Sequence, residues 1–432
     1  GRKTVLADDR LSDPLTYGTL MRNARVLGHM LSRKTRVDEN VGVLLPTANV
    51  TISVFFALQA YARVPTMLNA GAGAATLTAA CHIAQVKTVI TSRKFVEAAG
   101  LEEAVAALPV NIVYLEDIRA AMKPLDKIVG LLWPLPRQPQ PFQRAVVSFT
   151  SGSEGAPKGV ALSHDNILIN IAQITARVPY GREDIAFNAL PLFHSFGLTA
   201  GALLPIFGGV KVNFYPNPLH YKVIPERVRE TGATMMFATD TFLSGYARTA
   251  DRDDFRSVTR MFAGAEVLRE DTRKLYAERF GVKVFQGYGV TEASPVLGVN
   301  TDAFNRNGTI GKLLSGIEAR LEPIQGIEEG GRLFVRGPNI MLGYYDEAQP
   351  GLILAPANGW HDTGDIVAID DEGFVKIVGR VKRFAKIGGE MVSLAVVEAL
   401  AYALWPEAEH AAITRPDERK GEQIVLVTTQ KD

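Results

Sequence analysis

Short apolar runs alternate with stretches of helical period from Val41 onward. VGVLL, PTMLNA, KTVITS and NIVYLE are separated by a helical stretch reaching Tyr61, another beginning at Ala74 and a shorter third. Apolar strands spaced by helices predict parallel strands under helical layers, the α/β arrangement. A second series obeys the same rule: AVVSFT, a helix opened by Ser163, VKVNFYP, GATMMFAT, a helix behind Asp240, TRMFAGA and a helix closed by Gly281. Two layered α/β subdomains are expected. Past Gly308 the texture changes, because GGRLFVRG and GFVKIVG are turn-bounded and not spaced by long helices. That predicts a smaller β-rich subdomain. The prolines and missing period between Leu125 and Phe142 read as a loop or linker.

Composition narrows the function classes. A chain of 432 residues, 47% hydrophobic, can fill more than one core. Its 47 basic and 46 acidic residues cancel, so no nucleic-acid partner is expected. The lone Cys81 excludes an internal disulfide framework and a thiolate metal cluster, and reads as a buried small residue of a reducing compartment. The 22 residues from Val41 to Ala62 carry no charge and have the length of a bilayer span. Pro46, Asn49 and Gln59 interrupt them, so they read as a buried strand, a turn and a helix capped by Asn49. The opening GRKTVLADDR has no apolar core behind its basic residues, and reads as a cut from a longer chain rather than a signal peptide.

Phe149 to His164, FTSGSEGAPKGVALSH, gathers three Gly, three Ser and one Thr around Lys158. Successive N–H groups of small residues can converge on an anion, and Lys158, on the approach to a helix, can reach phosphate oxygens. The spacing is not G-x-x-x-x-G-K-[ST], so a phosphate clamp of another kind is expected. In QGYGVTEASP, Tyr288 between Gly287 and Gly289 offers an uncrowded ring face for a purine. Thr291 supplies a hydroxyl for a phosphate, and Glu292 a carboxylate for Mg²⁺, a hard cation that takes oxygen ligands. In WHDTGDI, Asp365 can accept from two ribose hydroxyls while Asp362 reads as a turn residue. Arg380 brings five fixed donors suited to ribose and phosphate. His194, in ALPLFHSFGL, reads equally as a core histidine or a catalytic one, with Phe193, Phe196 and Leu198 suited to a hydrocarbon chain.

These stretches, in this order, resemble the adenylate-forming superfamily of acyl-CoA synthetases, luciferases and peptide-synthetase adenylation domains. The resemblance covers nearly the whole chain. It implies that Thr150, Ser151, Gly152 and Ser153 belong to the phosphate loop with Lys158, and that Gly264, Ala265 and Glu266 of AGAE line adenine and the carboxylate pocket. It places His194 beside the acyl carboxylate, and Thr150, Thr291, Glu292 and Lys386 among the catalytic residues. GRVKRFAKIGGE resembles the hinge between two domains, with Lys382 as the pivot. The implied division is a large AMP-binding domain over 1–379 and a small, truncated C-terminal α+β domain over 380–432.

The implied reaction uses ATP and Mg²⁺. A carboxylate attacks the α-phosphate, pyrophosphate leaves, and a thiol then displaces AMP. Within the superfamily, LPLFHSFGLT, PLHY, AGAEVL and RFAKIGGEMVS resemble the acyl-[acyl-carrier-protein] synthetase half of bifunctional 2-acylglycerophosphoethanolamine acyltransferases. That implies a fatty acid and acyl-carrier protein as partners, an acyltransferase domain elsewhere in the full-length chain, and a place on the cytoplasmic side of the inner membrane. Any membrane association is thereby assigned to segments outside these residues, the fragment itself being soluble. None of the seven histidines has an Asp five positions on, so the acyltransferase motif H-x-x-x-x-D is absent here. The superfamily's C-terminal catalytic lysine, in a Gly-Lys turn, also has no counterpart. Two rival readings stand: a fatty acyl-CoA synthetase, and a nucleotide-binding domain that adenylates poorly.

Overall fold

The computed structural model describes residues 2–132, 134–135, 140–151, 157–327, 329–387, 390–417 and 421–430. Both expected α/β layers form, but AVVSFT, read as opening the second series, lies in Arg144–Ser151 of the first sheet, beside Val64–Met67. The first sheet has eight strands, of which Asn111–Tyr114, Thr88–Thr91, Asn40–Val43, Val64–Met67 and Arg144–Ser151 run parallel. The second has nine, with a parallel centre built from Val5–Asp8, Lys211–Phe214, Ile185–Asn188, Met235–Ala238, Arg260–Ala263 and Val284–Gly289. The central strands Asn40–Val43, Val64–Met67 and Thr88–Thr91 are buried throughout, the reason they read as mainly apolar runs, with Asn40, Thr66, Thr88 and Thr91 the buried polar exceptions. The β-rich subdomain is a four-stranded antiparallel sheet of Glu318–Glu322, Gly331–Arg336, His361–Ile369 and Val375–Arg380. A last sheet of Phe384–Ile387, Glu390–Ser393, His410–Asp417 and Gly421–Thr428 carries the helix Leu394–Leu404 over a core of Ala385, Leu394 and Ala412.

Three local expectations need correcting. The segment after Lys123 is not a linker throughout, because Pro124–Leu132 is a helix lying on Tyr17–Ser32. Asn49 begins the helix Asn49–Ala60 but does not cap it; the N–H of Asn49 donates to Asp9 Oδ2 at 2.8 Å. A remote carboxylate thus does the work expected of the local side chain. Lys158 lies on a strand, Pro157–Ser163, which pairs antiparallel with Arg144–Ser151 before Ser163 caps the helix His164–Arg177. The uncharged stretch resolves into strand, turn and helix, and among the described residues no helix is long and apolar enough to cross a membrane.

Candidate active site

A cavity of about 1330 Å³ opens between the two parallel sheets and the β-rich subdomain. Its phosphate side is set by strand register. Thr150 and Lys158 are direct cross-strand neighbours, so a hydroxyl and an ammonium stand together at the cavity mouth. Gly152 and Ser153 lie outside the described residues, as does the side chain of Ser151. Lys158 Nζ sits 5.3 Å from the centre of the Tyr344 ring. The Tyr344 hydroxyl in turn donates to Glu292 Oε1, so cation, aromatic ring and carboxylate form one chain.

Glu292 follows the strand Val284–Gly289 in a single 3₁₀ turn, Thr291–Ala293. It is buried, and its backbone carbonyl accepts from Met341 N–H at 2.8 Å. Thr291 shares a hydrogen bond of 3.1 Å with the Ser195 hydroxyl. Ser195 and Tyr344 are not singled out by the motifs. Tyr344 lies on Gly343–Tyr345, some fifty residues beyond Glu292 in sequence, which carries no signal of their contact. Among the described residues no group of three or more His, Cys, Asp or Glu could cage a metal. One buried carboxylate suits Mg²⁺ that keeps water and phosphate oxygens as its remaining ligands.

Tyr288 lines the cavity but is more enclosed than its glycine neighbours suggest, at 8% exposure. Its hydroxyl donates to Asp365 Oδ2 at 2.5 Å, and Arg380 Nε donates to Oδ1 at 2.9 Å. Asp365 and Arg380 are cross-strand partners in the β-rich sheet. Burial raises the Asp365 pKa, while the Tyr288 hydroxyl and the Arg380 charge hold it down. Burial, with the Asp365 charge beside it, pushes the Tyr288 phenol well up, so it stays a donor. Asp365 itself lies just behind the wall formed by Thr363, Gly364 and Arg380. Asp362, expected in a turn, lies instead on the strand His361–Ile369 opposite Phe334; its side chain accepts from Gly364 N–H at 3.0 Å and holds Arg332.

Gly264, Ala265 and Glu266 line the same cavity. Ala265 has φ of 66°, a left-handed conformation unusual for alanine and common at ligand-binding turns. Glu266 accepts from Thr241 N–H at 2.9 Å, at the start of the helix Asp240–Thr249. The apolar arm differs from expectation. Of Phe193, Phe196 and Leu198, only Phe196 reaches the cavity; Phe193 rests against His194 at 4.6 Å and Leu198 is in the core. The π-helix Phe196–Leu203 causes this, turning Phe196 and Ala200 toward the cavity and Leu198 away. Phe237, Phe262, Met235 and Val178 complete the arm, with Phe237 and Phe262 stacked at 5.7 Å.

His194 stands where the polar and apolar ends meet. Its ring is open to the cavity, yet the surrounding protein removes enough water that burial lowers its pKa. Burial thus favours the neutral imidazole over the imidazolium. Lys382 reaches the cavity from the turn Val381–Arg383. Lys386 does not: its side chain is exposed on Phe384–Ile387, and it is absent from the cavity wall in this domain arrangement.

The AMP-binding enzyme family matches residues 1–345 of the chain. The chain belongs to that family. A long-chain-fatty-acid–CoA ligase of Escherichia coli O157:H7 is 30% identical over 306 residues, 68% of this chain and 54% of the relative. A probable 4-coumarate–CoA ligase of Dictyostelium discoideum is 31% identical over 284 residues, 63% and 51% of the two chains. This AMP-binding chain therefore aligns with about half the length of the curated relatives it matches. ATP-bound MatB from Rhodopseudomonas palustris shares the fold, with a TM-score of 0.83 at 22% identity over 98% of this chain and 85% of its own. The o-succinylbenzoate CoA synthetase of Bacillus subtilis with its acyl-adenylate also reaches 0.83 at 22% identity, over 100% and 86%. Enzymes of the AMP-binding family use ATP with Mg²⁺.

Proposed function

We propose that the protein activates a fatty acid with ATP and transfers it to a thiol. The observation that carries this reading is the continuity of one cavity from Lys158, Thr291 and Glu292 to the arm of Phe196, Phe237 and Phe262. A carboxylate held near His194 has phosphate-binding groups on one side and hydrocarbon contacts on the other. Its oxygen attacks the α-phosphorus, the bond to pyrophosphate breaks, and a thiolate later takes the acyl group with release of AMP. Lys158 neutralises charge developing on phosphate oxygens, the Thr150 hydroxyl donates a hydrogen bond to them, and Glu292 would hold Mg²⁺. Tyr288, Asp365 and Arg380 position the nucleoside. A neutral His194 can lie against the carboxylate without neutralising its charge, which leaves it nucleophilic.

The acceptor in this reading is the phosphopantetheine thiol of acyl-carrier protein, feeding lysophospholipid reacylation by an acyltransferase domain of the full-length chain. The stretches LPLFHSFGLT, AGAEVL and RFAKIGGEMVS support it. The relatives named as CoA ligases favour CoA as acceptor, the second reading. Supplying both thiols with one fatty acid to the full-length protein distinguishes them.

Lys158→Ala tests the shared first step. Loss of one preorganised charge should lower the pyrophosphate-exchange rate by about 10²–10³-fold, more than it weakens ATP binding. An unchanged exchange rate would sink the assignment.

A further inference from the structure

The helix Pro124–Leu132 packs the wrong way round for an ordinary surface helix. Asp126 and Gly130 face inward, Asp126 at 6% exposure. Asp126 accepts from Arg33 at 2.6 Å, and a Cβ on Gly130 would come within 2.9 Å of Val26 Cα, so glycine allows the close approach. The aliphatic side chains face out instead: Leu125 is 65% exposed, Ile128 53%, Leu131 41% and Leu132 78%. Helical geometry puts these four on one arc opposite Asp126 and Gly130. A surface helix normally turns its apolar stripe to the core, and a contiguous exposed apolar patch marks an interaction site.

Charge identifies the occupant. The helix's only carboxylate, Asp126, is turned inward onto Arg33, while exposed Arg119 and Lys123 precede the helix in the chain and exposed Lys127 lies on it beside the apolar arc. Asp117, the nearby exposed anion, is bonded to Arg93 at 2.8 and 2.9 Å. The exposed charges on the helix and at its entry are therefore positive. Apolar side chains fringed by lysine and arginine suit the boundary of an anionic bilayer, where the helix lies in the plane of the headgroups. Nine residues are too short to span one.

We propose that Pro124–Leu132 docks the protein on an anionic lipid surface, with Leu125, Ile128, Leu131 and Leu132 entering the headgroup boundary. The site is separate from the cavity, and the proposal stands whichever thiol acceptor is used.

The test is co-sedimentation of the whole chain with vesicles of phosphatidylcholine alone and of phosphatidylcholine with phosphatidylglycerol, at low and at physiological salt. Binding should favour the anionic vesicles and weaken with salt. Ile128→Glu with Leu132→Glu should weaken it at least about tenfold, and Lys123→Glu with Lys127→Glu by a similar factor. The melting temperature and its shift on adding ATP should be unchanged in both double variants, because none of these residues lines the cavity. The proposal is overturned if the unaltered chain ignores anionic vesicles or if the glutamate variants bind them equally well. It is overturned equally if the variants only dissociate a self-associated form, which would make the occupant a second copy of the chain.

Discussion

Asp365 shows how a residue's role depends on what already holds it. Both carboxylate oxygens have protein donors, Tyr288 and Arg380, and the residue is 2% exposed. Each oxygen retains a second lone pair, so ribose hydroxyls can add to the existing bonds rather than replace them. Asp365→Asn keeps the volume but removes the charge that strengthens every bond to it. Loss of one charge-assisted bond of about 1.5–3 kcal/mol should raise the ATP dissociation constant by at least tenfold. Fatty-acid binding, measured separately by calorimetry, should be nearly unchanged; equal losses for both ligands would make Asp365 a structural residue only. HDTGDI made the residue visible, whereas its bond to Tyr288, 77 positions earlier, could be found only in the fold.

At the scale of elements, the two glycines around Tyr288 do different work. A Cβ on Gly287 would meet ordinary contacts from 3.6 Å outward, but on Gly289 it would lie 2.2 Å from the Pro295 carbonyl oxygen. That carbonyl accepts from Val290 N–H at 3.0 Å, closing the turn that holds Thr291 and Glu292. Gly289→Ala must therefore push the turn open. Overpacking of this kind costs about 1–3 kcal/mol. Denaturant melts should show that loss together with a fall in pyrophosphate exchange, while Gly287→Ala should leave stability nearly unchanged. If both variants melt alike, the close approach does not constrain the turn. Strand and helix order in this region was legible from apolar runs and caps such as Ser163. The strand status of Lys158 was not, because glycine- and serine-rich loops give no period to read.

On the scale of the whole molecule, Lys382 lies between two anchored arginines. Arg380 is bonded to Asp365 in the large domain, and Arg383 to Glu398 at 2.5 Å on the helix Leu394–Leu404 of the last one. A pivot between fixed ends must absorb the backbone change of any domain rotation. Lys382→Pro fixes φ near −65° there. In the full-length protein it should preserve adenylate formation or thioester formation, not both, as measured by pyrophosphate exchange and by acyl transfer from preformed adenylate. Parallel loss or survival would remove Lys382 from the hinge.

Alternation of apolar runs with helical stretches was enough to determine two parallel sheets, since strands buried on both faces are mainly apolar. Motif order was enough to bring out Lys158, Glu292, Tyr288 and Asp365. The tertiary structure alone decided how the sheets interleave. Val5–Asp8 joins the second sheet rather than the first, and Gly343–Tyr345 returns to pair with Pro157–Ser163, carrying Tyr344 onto Glu292. It also decided that the leucines of Pro124–Leu132 face outward. Contacts across such sequence distances leave no local period, because they depend on which surfaces the other elements have already covered.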